Sequence, residues 1–352
     1  MRGEEEQNEE TNDQEQEQED EPPAQEPQDE QVLVVILPRT LHHTANALKA
    51  KMKELQNFKD FKVYVLVPDR GQPRIRHNWI MTQKMLDGSV IIKARLVARG
   101  DEERELLRTD SPTTSKKTLK IIFVLAAQMG WKVESGDIRA AFLQGESLDR
   151  EVNLVPPPEA NNPGMLWRLL KLIYGLNDAS RKFYIKLVEK IIGLGCKKSQ
   201  FDYAVFYYHV NSSLQGIIGG HIDDLSYNGT PSFYQKIVEP LKNHFKFGAM
   251  SQETFKYVGW NIAHQGNTIK IDQDDYEDEK CREIKLSRER AEQIEEPVTS
   301  EEQKSLRQLI GRSRWVTDQT RPDCSYDELE LSMIVNKATV KDLIKANKMM
   351  KK

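Results

Sequence analysis

Cysteine is scarce. Cys196, Cys281 and Cys324 are the only three in 352 residues, and none forms a C-x-x-C pair. That excludes a disulfide scaffold and a zinc knuckle and fits a reducing compartment. No apolar run approaches the roughly 18 residues that span a bilayer. The acidic N-terminus is neither a signal nor a transit peptide, so a cytoplasmic or nuclear protein is expected, not a secreted one. Aromatic residues are missing from residues 1–31, which hold fourteen Asp/Glu and one Arg. Such a stretch cannot bury enough apolar surface to offset its ordering entropy, and a disordered acidic leader is expected there.

The leader carries −13 of a formal total of −4, leaving +9 on residues 32–352. An excess of that sign suits a polyanion binder, and it equally suits an ordinary lysine-rich surface. Residues 32–60 read as a helical lead-in, with Leu41, Leu48, Met52 and Leu55 on one face. From 63 the pattern turns β-rich, and Asp87-Gly88 between two strand-like runs signals a hairpin. A helix opens after Ser115 and stops before Gly130, and a strand then leads into Asp137. A second helix covers 178–195, and strands over 203–210 and 214–222 are joined at Asn211-Ser212-Ser213. A helix over 231–245 should kink at Pro240, a hairpin turns at Gln265-Gly266, and 274–352 is mostly helical. Hairpins need antiparallel neighbours, so the fold class expected is α+β rather than a doubly wound parallel sheet.

The chemistry is concentrated at Asp223-Asp224 and Asp137. An isolated Asp-Asp pair is often a polar surface turn, and a lone strand-end aspartate is often a cap. Together, one single and one paired strand-terminal carboxylate make the inventory of a two-metal site. Magnesium suits it, taking oxygen ligands from few carboxylates and from substrate phosphates.

The ordered stretches Lys93–Gly100, Asp110-Ser111-Pro112, Gly136–Gly145, Leu172–Leu176, His221–Asp224, Phe255–Gly259, Leu309-Ile310-Gly311 and Thr320–Asp323 resemble the reverse transcriptase of copia-type long-terminal-repeat retrotransposons. The resemblance runs from about residue 60 to the C-terminus. It implies an RNA-directed DNA polymerase shaped as a right hand. Fingers and an antiparallel palm sheet would occupy 61–265, and a thumb- or connection-like helical region 266–352. It makes Asp137, Asp223 and Asp224 the metal-binding triad, with the Ile138 carbonyl a further ligand to two magnesium ions, manganese being a substitute. Lys93, Arg95 and Lys84 become candidate triphosphate contacts, or else a solvated hairpin face. Phe142 would lie beneath the incoming sugar, or else pack in the core. Gly175 falls where the chain passes close to template and nucleotide, and Tyr257, Val258, Gly259 and Trp260 match the hairpin that grips the primer. Tyr174 and Trp260 are also read as core or hairpin packing rather than base-stacking platforms.

The implied partners are template, primer, deoxynucleotides and other retrotransposon polyprotein products, with no membrane and an open oligomeric state. No integrase zinc motif, protease segment or Gag zinc knuckle is visible, so a polymerase portion of a polyprotein is expected. His221 replaces the usual aromatic before the Asp-Asp pair. Gly136 stands where an apolar residue is usual, so weaker strand burial is expected there. Glu277 and Lys280 make their helix more polar than the pattern, and Asp318 replaces a small residue, so a less stable thumb is expected. A catalytically silent remnant that only binds nucleic acid is the alternative function. Another metal-dependent phosphoryl-transfer enzyme would leave the finger-like and primer-grip-like stretches unexplained.

Overall fold

The computed structural model describes residues 35–352 except 87–88, 106 and 145–146, and the side chains of 84–86 and 249 also fall outside the description. The acidic leader and the Asp87-Gly88 turn thus lie outside the described residues. In chain order come β1 (Val35–Ile36), α1 (Ala45–Asp60), β2 (Tyr64–Pro68) and the long hairpin of β3 (His77–Leu86) and β4 (Ser89–Ala98). Then follow α2 (Lys116–Met129), β5 (Lys132–Ile138), β6 (Asn153–Leu154), β7 (Met165–Leu169) and α3 (Ala179–Gly193). Strands β8 (Lys197–Lys198), β9 (Val205–Val210), β10 (Ser213–His221), β11 (Asp224–Gly229) and β12 (Phe247–Gln252) complete the central sheet. β13 (Thr254–Tyr257), β14 (Trp260–Gln265) and β15 (Thr268–Asp272) make a small sheet that continues across residue 265.

Every strand ladder is antiparallel. The central sheet runs β12-β5-β11-β10-β9-β8 and is flanked by the sheets β1-β3-β4 and β2-β7-β6. Alternation along its strands sorts the apolar residues into two cores. Phe206, Ile218, Leu225 and Tyr227 face α3 and the 231–244 helix, whereas Val133, Val205 and Ile217 face α2 and the small sheet. α2 keeps both expected ends: the Ser115 side chain accepts from the Thr118 N–H, and Gly130 closes it at φ 60°. Arg150, almost fully enclosed, donates to Asp178 at 2.7 and 2.8 Å and to Glu103 at 2.6 Å, tying the start of α3 to the loop after β4.

Several expectations need correction. α1 does not bury the Leu41–Leu48–Met52 face, since those residues are 43, 41 and 52% exposed. It buries Ala47, Lys51, Glu54, Leu55 and Phe58, with Lys51 paired to Glu159 at 2.7 Å so that its charge can sit inside. The irregularity expected at Pro240 falls just before it, as π-helical Tyr234–Val238. Pro240 opens the following turn, where its missing N–H is harmless. Gly136 does not weaken the strand's burial. It is itself buried, and a Cβ there would stand 2.1 Å from the Tyr227 hydroxyl and 2.7 Å from Met250 Sδ. The large residue has moved to the neighbouring strand.

Helix Asp274–Lys280 buries none of its residues, in line with its polar sequence. The helices beyond it nevertheless share an apolar core of Leu306, Leu309, Leu331, Leu343, Ala346 and Met349. No helix among the described residues is long and apolar enough to cross a membrane.

Candidate active site

The two sequence signals meet at one end of the central sheet. β11 pairs with β5 so that Asp224 lies directly opposite Asp137. Opposed residues in an antiparallel ladder share a face, here the face that carries α2 and the small sheet. The Ile138 N–H donates to the Asp223 carbonyl at 2.9 Å, which fixes the β10–β11 turn against the end of β5. That turn is Ile222-Asp223, with His221 and Asp224 as its flanking pair. Ile222 sits at φ 61° and Ala140, just past β5, at φ 50°. A branched residue at positive φ is strained, commonly by about 1–3 kcal/mol, and both lie beside the carboxylates.

The carboxylates disfavour one another's charge. Burial and then Asp223 and Asp137 push Asp224 up to about 7. Burial followed by Asp223 raises Asp137, while Arg95 and Lys93 pull it back. These two basic residues, exposed on β4, therefore act on the same point. Lys84 pairs with Ile91 in the β3–β4 ladder, and its side chain lies outside the described residues.

Arg95 lies over the Tyr174 ring at 5.1 Å, and Tyr174 meets Phe142 edge-on at 5.0 Å. Burial, with Glu54, Asp223 and Asp137 adding to it, raises the Tyr174 phenol to about 12. Tyr174 thus lies within electrostatic reach of the carboxylates, a placement its apolar sequence context did not signal. Phe142 is 9% exposed and its ring also packs edge-on to Phe183 at 6.2 Å. Gly175, at φ 88°, backs onto β4: a Cβ would stand 2.1 Å from the Ala98 carbonyl. The sequence also passed over Gly248 of β12, where a Cβ would come within 3.3 Å of Asp137 Oδ2.

The β13–β14 hairpin turns at Val258 and Gly259, both at positive φ. Tyr257 is buried and its hydroxyl donates to the Gly219 carbonyl at 3.1 Å and the Asp224 carbonyl at 3.4 Å. Trp260 is buried too and donates to Gln319 Oε1 at 2.7 Å. These two rings hold the hairpin, and Val258-Gly259 is its accessible tip.

Among the described residues, no three His, Cys, Asp or Glu side chains are gathered as a ready-made ion site. The donor chemistry still fits a hard cation. Carboxylates that raise one another's pKa are stabilised when a cation stands between them, and the missing side chain at Gly248 leaves room beside Asp137.

A profile of the reverse transcriptase (RNA-dependent DNA polymerase) family matches residues 61–298. The chain belongs to that family. Among curated relatives it is 30% identical over 176 residues to the retrovirus-related Pol polyprotein from transposon RE1 of Arabidopsis thaliana, covering 47% of this chain and 12% of that one. It is 32% identical over 166 residues to that from transposon RE2 of the same plant, covering 45% and 11%. To that from transposon TNT 1-94 of Nicotiana tabacum it is 28% identical over 188 residues, covering 51% and 14%. These relatives make it the reverse transcriptase region of a copia-type element, matching about an eighth of their length. A solved structure of apo telomerase from Candida tropicalis, truncated from its C-terminal domain, aligns over 64% of this chain and 60% of that one. At a TM-score of 0.38 and 8% identity, that likeness carries no argument.

Proposed function

We propose that the chain extends a primer 3′-hydroxyl with deoxynucleotides on an RNA or DNA template, at the end of the central sheet that carries Asp137, Asp223 and Asp224. The observation that supports this most is the direct cross-strand pairing of Asp137 with Asp224, within electrostatic reach of Lys93 and Arg95 at Asp137. In this reading the three aspartates and the Ile138 carbonyl hold two magnesium ions, with manganese as a substitute. Bound there, such ions would lower the pKa of the attacking hydroxyl and stabilise charge on the leaving pyrophosphate.

The chain's own residues do the rest. Lys93 and Arg95, with Lys84, orient the triphosphate, and Tyr174 holds the Arg95 guanidinium from below. Phe142 stands under the sugar, the chain at Gly175 passes close to template and nucleotide, and the Val258-Gly259 tip, held by Tyr257 and Trp260, meets the primer. Residues 61–265 then serve as fingers and palm and 266–352 as thumb. The chain works with other retrotransposon polyprotein products in the cytoplasm, within a virus-like particle, or in the nucleus.

Primer extension on a homopolymer template, with and without magnesium, tests the reading. Asp137→Asn or Asp223→Asn should abolish extension and leave primer-template affinity within a few-fold. Parallel loss of binding and synthesis would assign these residues to folding instead.

A further inference from the structure

Beyond the carboxylate end of the sheet, a group of cationic side chains is assembled from separate elements around one glutamine. The Gln144 side chain accepts from the Lys246 N–H at 2.7 Å and donates to the Lys246 carbonyl at 2.9 Å. Its backbone carbonyl accepts from Lys186 Nζ at 2.8 Å. The Lys246 ammonium lies 5.2 Å from the centre of the Phe61 ring, beside Lys62. Lys171 joins them through its N–H, which donates to the Val63 carbonyl at 3.3 Å. The group also reaches Arg139, two residues past Asp137, whose N–H donates to the Lys246 carbonyl at 3.0 Å.

Their convergence from separate elements is what sets these residues apart. Among the described residues, Lys62, Lys171, Lys186, Lys190 and Lys246 make no ion pair, as is also true of dispersed lysines such as Lys49, Lys53 and Lys197, while Lys182 and Lys242 nearby find Asp149 and Glu239. Several of their charges converge on Lys171 and His244. Burial first, then Lys186 and Lys62, depresses the Lys171 ammonium. Burial, then Lys190 and Lys186, depresses His244. Like charges gathered without counterions raise the free energy of the isolated chain, and a strand of phosphates would relieve it. A merely solvated surface would not draw them together from separate elements.

We propose that Lys62, Lys171, Lys186 and Lys246 form a tract for the sugar-phosphate backbone of a nucleic-acid strand, outside the catalytic carboxylates and leading away from them through Arg139. The polymerase reading supplies the ligand for this tract, not its geometry. The tract reads phosphate and is blind to sequence.

Full-length chain is titrated by fluorescence anisotropy into a labelled primer-template with a long single-stranded template overhang, over a series of salt concentrations. Each phosphate contact contributes roughly 0.7–0.9 to the slope of log affinity against log salt. The combined Lys62→Gln, Lys171→Gln, Lys186→Gln, Lys246→Gln variant should therefore flatten the slope by about 2–4 and weaken binding at least tenfold near 0.1 M salt. Removing the same charge elsewhere, with Lys49→Gln, Lys53→Gln, Lys197→Gln and Lys337→Gln, should change the slope by less than one. Lys62→Gln and Lys246→Gln singly, both at exposed positions, guard against misfolding of the combined variant. An unchanged slope in these folded variants overturns the tract, as does an equal loss in the control. Binding is read without catalysis, so a flattened slope in a chain that extends no primer would sink the polymerase reading alone.

Discussion

Asp224 and Asp137 oppose each other in the β11–β5 ladder, and each is held above the ordinary carboxylate range by burial and by the charge of Asp223. A carboxylate whose folded pKa exceeds its unfolded value destabilises the fold wherever it is ionised above that unfolded value. The site is thus assembled against its own repulsion. Asp224→Asn should reduce extension by on the order of a thousandfold, the scale of losing a transition-state charge stabiliser. In chelator at pH 7.5 the same variant should melt roughly 1–3 °C above the parent. A lower midpoint would mean that the carboxylate holds the fold together.

Gly136 and Tyr227 exchange volume across the same pair of strands. Tyr227 is fully buried and its hydroxyl approaches Met250 Sδ at 3.3 Å, so its ring has no free direction in which to retreat. Gly136→Ala should cost about 1–3 kcal/mol by overpacking. Tyr227→Phe, which removes the oxygen that meets the new methyl, should recover part of that loss. The cost should be read from denaturant midpoints of the two single variants and the double. Simple additivity would rule out the contact.

What was legible in the sequence was mostly local. Ser115 and Gly130 mark the ends of α2 because a cap and a left-handed stop are properties of one or two residues. The alternation through 203–222 shows two strands, and the strand-end positions of Asp137 and Asp223-Asp224 are legible because a strand's end is set by its own alternation and turn. Partnerships between distant segments were not legible. Leu41, Leu48 and Met52 have helical spacing, but β3 and β4 pack on the other side of α1, where Lys51 finds Glu159 far along the chain. Gly136 reads as a defect from its own strand, because the Tyr227 hydroxyl that fills its side-chain space comes from β11. The placement of Tyr174 depends on Arg95, a contact no spacing rule connects.

Phe142 has two readings that one pair of variants separates. Its ring is buried between Tyr174 and Phe183, so Phe142→Ala should cost roughly 3–5 kcal/mol whatever else it does. Phe142→Leu keeps most of the volume and removes the flat face. If that face meets the incoming sugar, the leucine variant should raise ribonucleotide over deoxynucleotide incorporation by about tenfold or more, since small misplacements of reacting groups cost up to 100-fold. An unchanged ratio of the two specificity constants assigns the ring to packing alone.

Gln319 follows helix Ser300–Thr317 and joins it to the β13–β14 hairpin and to α2. Its Oε1 accepts from Trp260 Nε1 and from Lys116 Nζ, and its backbone carbonyl accepts from Lys120. The Lys116 ammonium also sits 3.6 Å from the centre of the Trp315 ring. Gln319→Leu leaves the buried Trp260 Nε1 without an acceptor, at about 1–3 kcal/mol, and takes one from the half-buried Lys116 Nζ, whereas Gln319→Glu keeps the acceptor. The leucine variant should therefore lower the unfolding midpoint and raise the apparent KM for primer-template more than that for deoxynucleotide, with the glutamate variant close to the parent. A pH series adds a second check. Burial depresses the Lys116 ammonium to about 8, below its unfolded value, so between about pH 8 and 10.5 the unfolded chain binds more protons than the folded one. Stability from this group must then rise with pH across that window. The parent should gain unfolding midpoint between pH 8 and 10 relative to Lys116→Met, which cannot titrate. If the two curves run parallel, the ammonium is not desolvated in this joint, and the coupling of α2 to the hairpin rests on Trp260 and Gln319 alone.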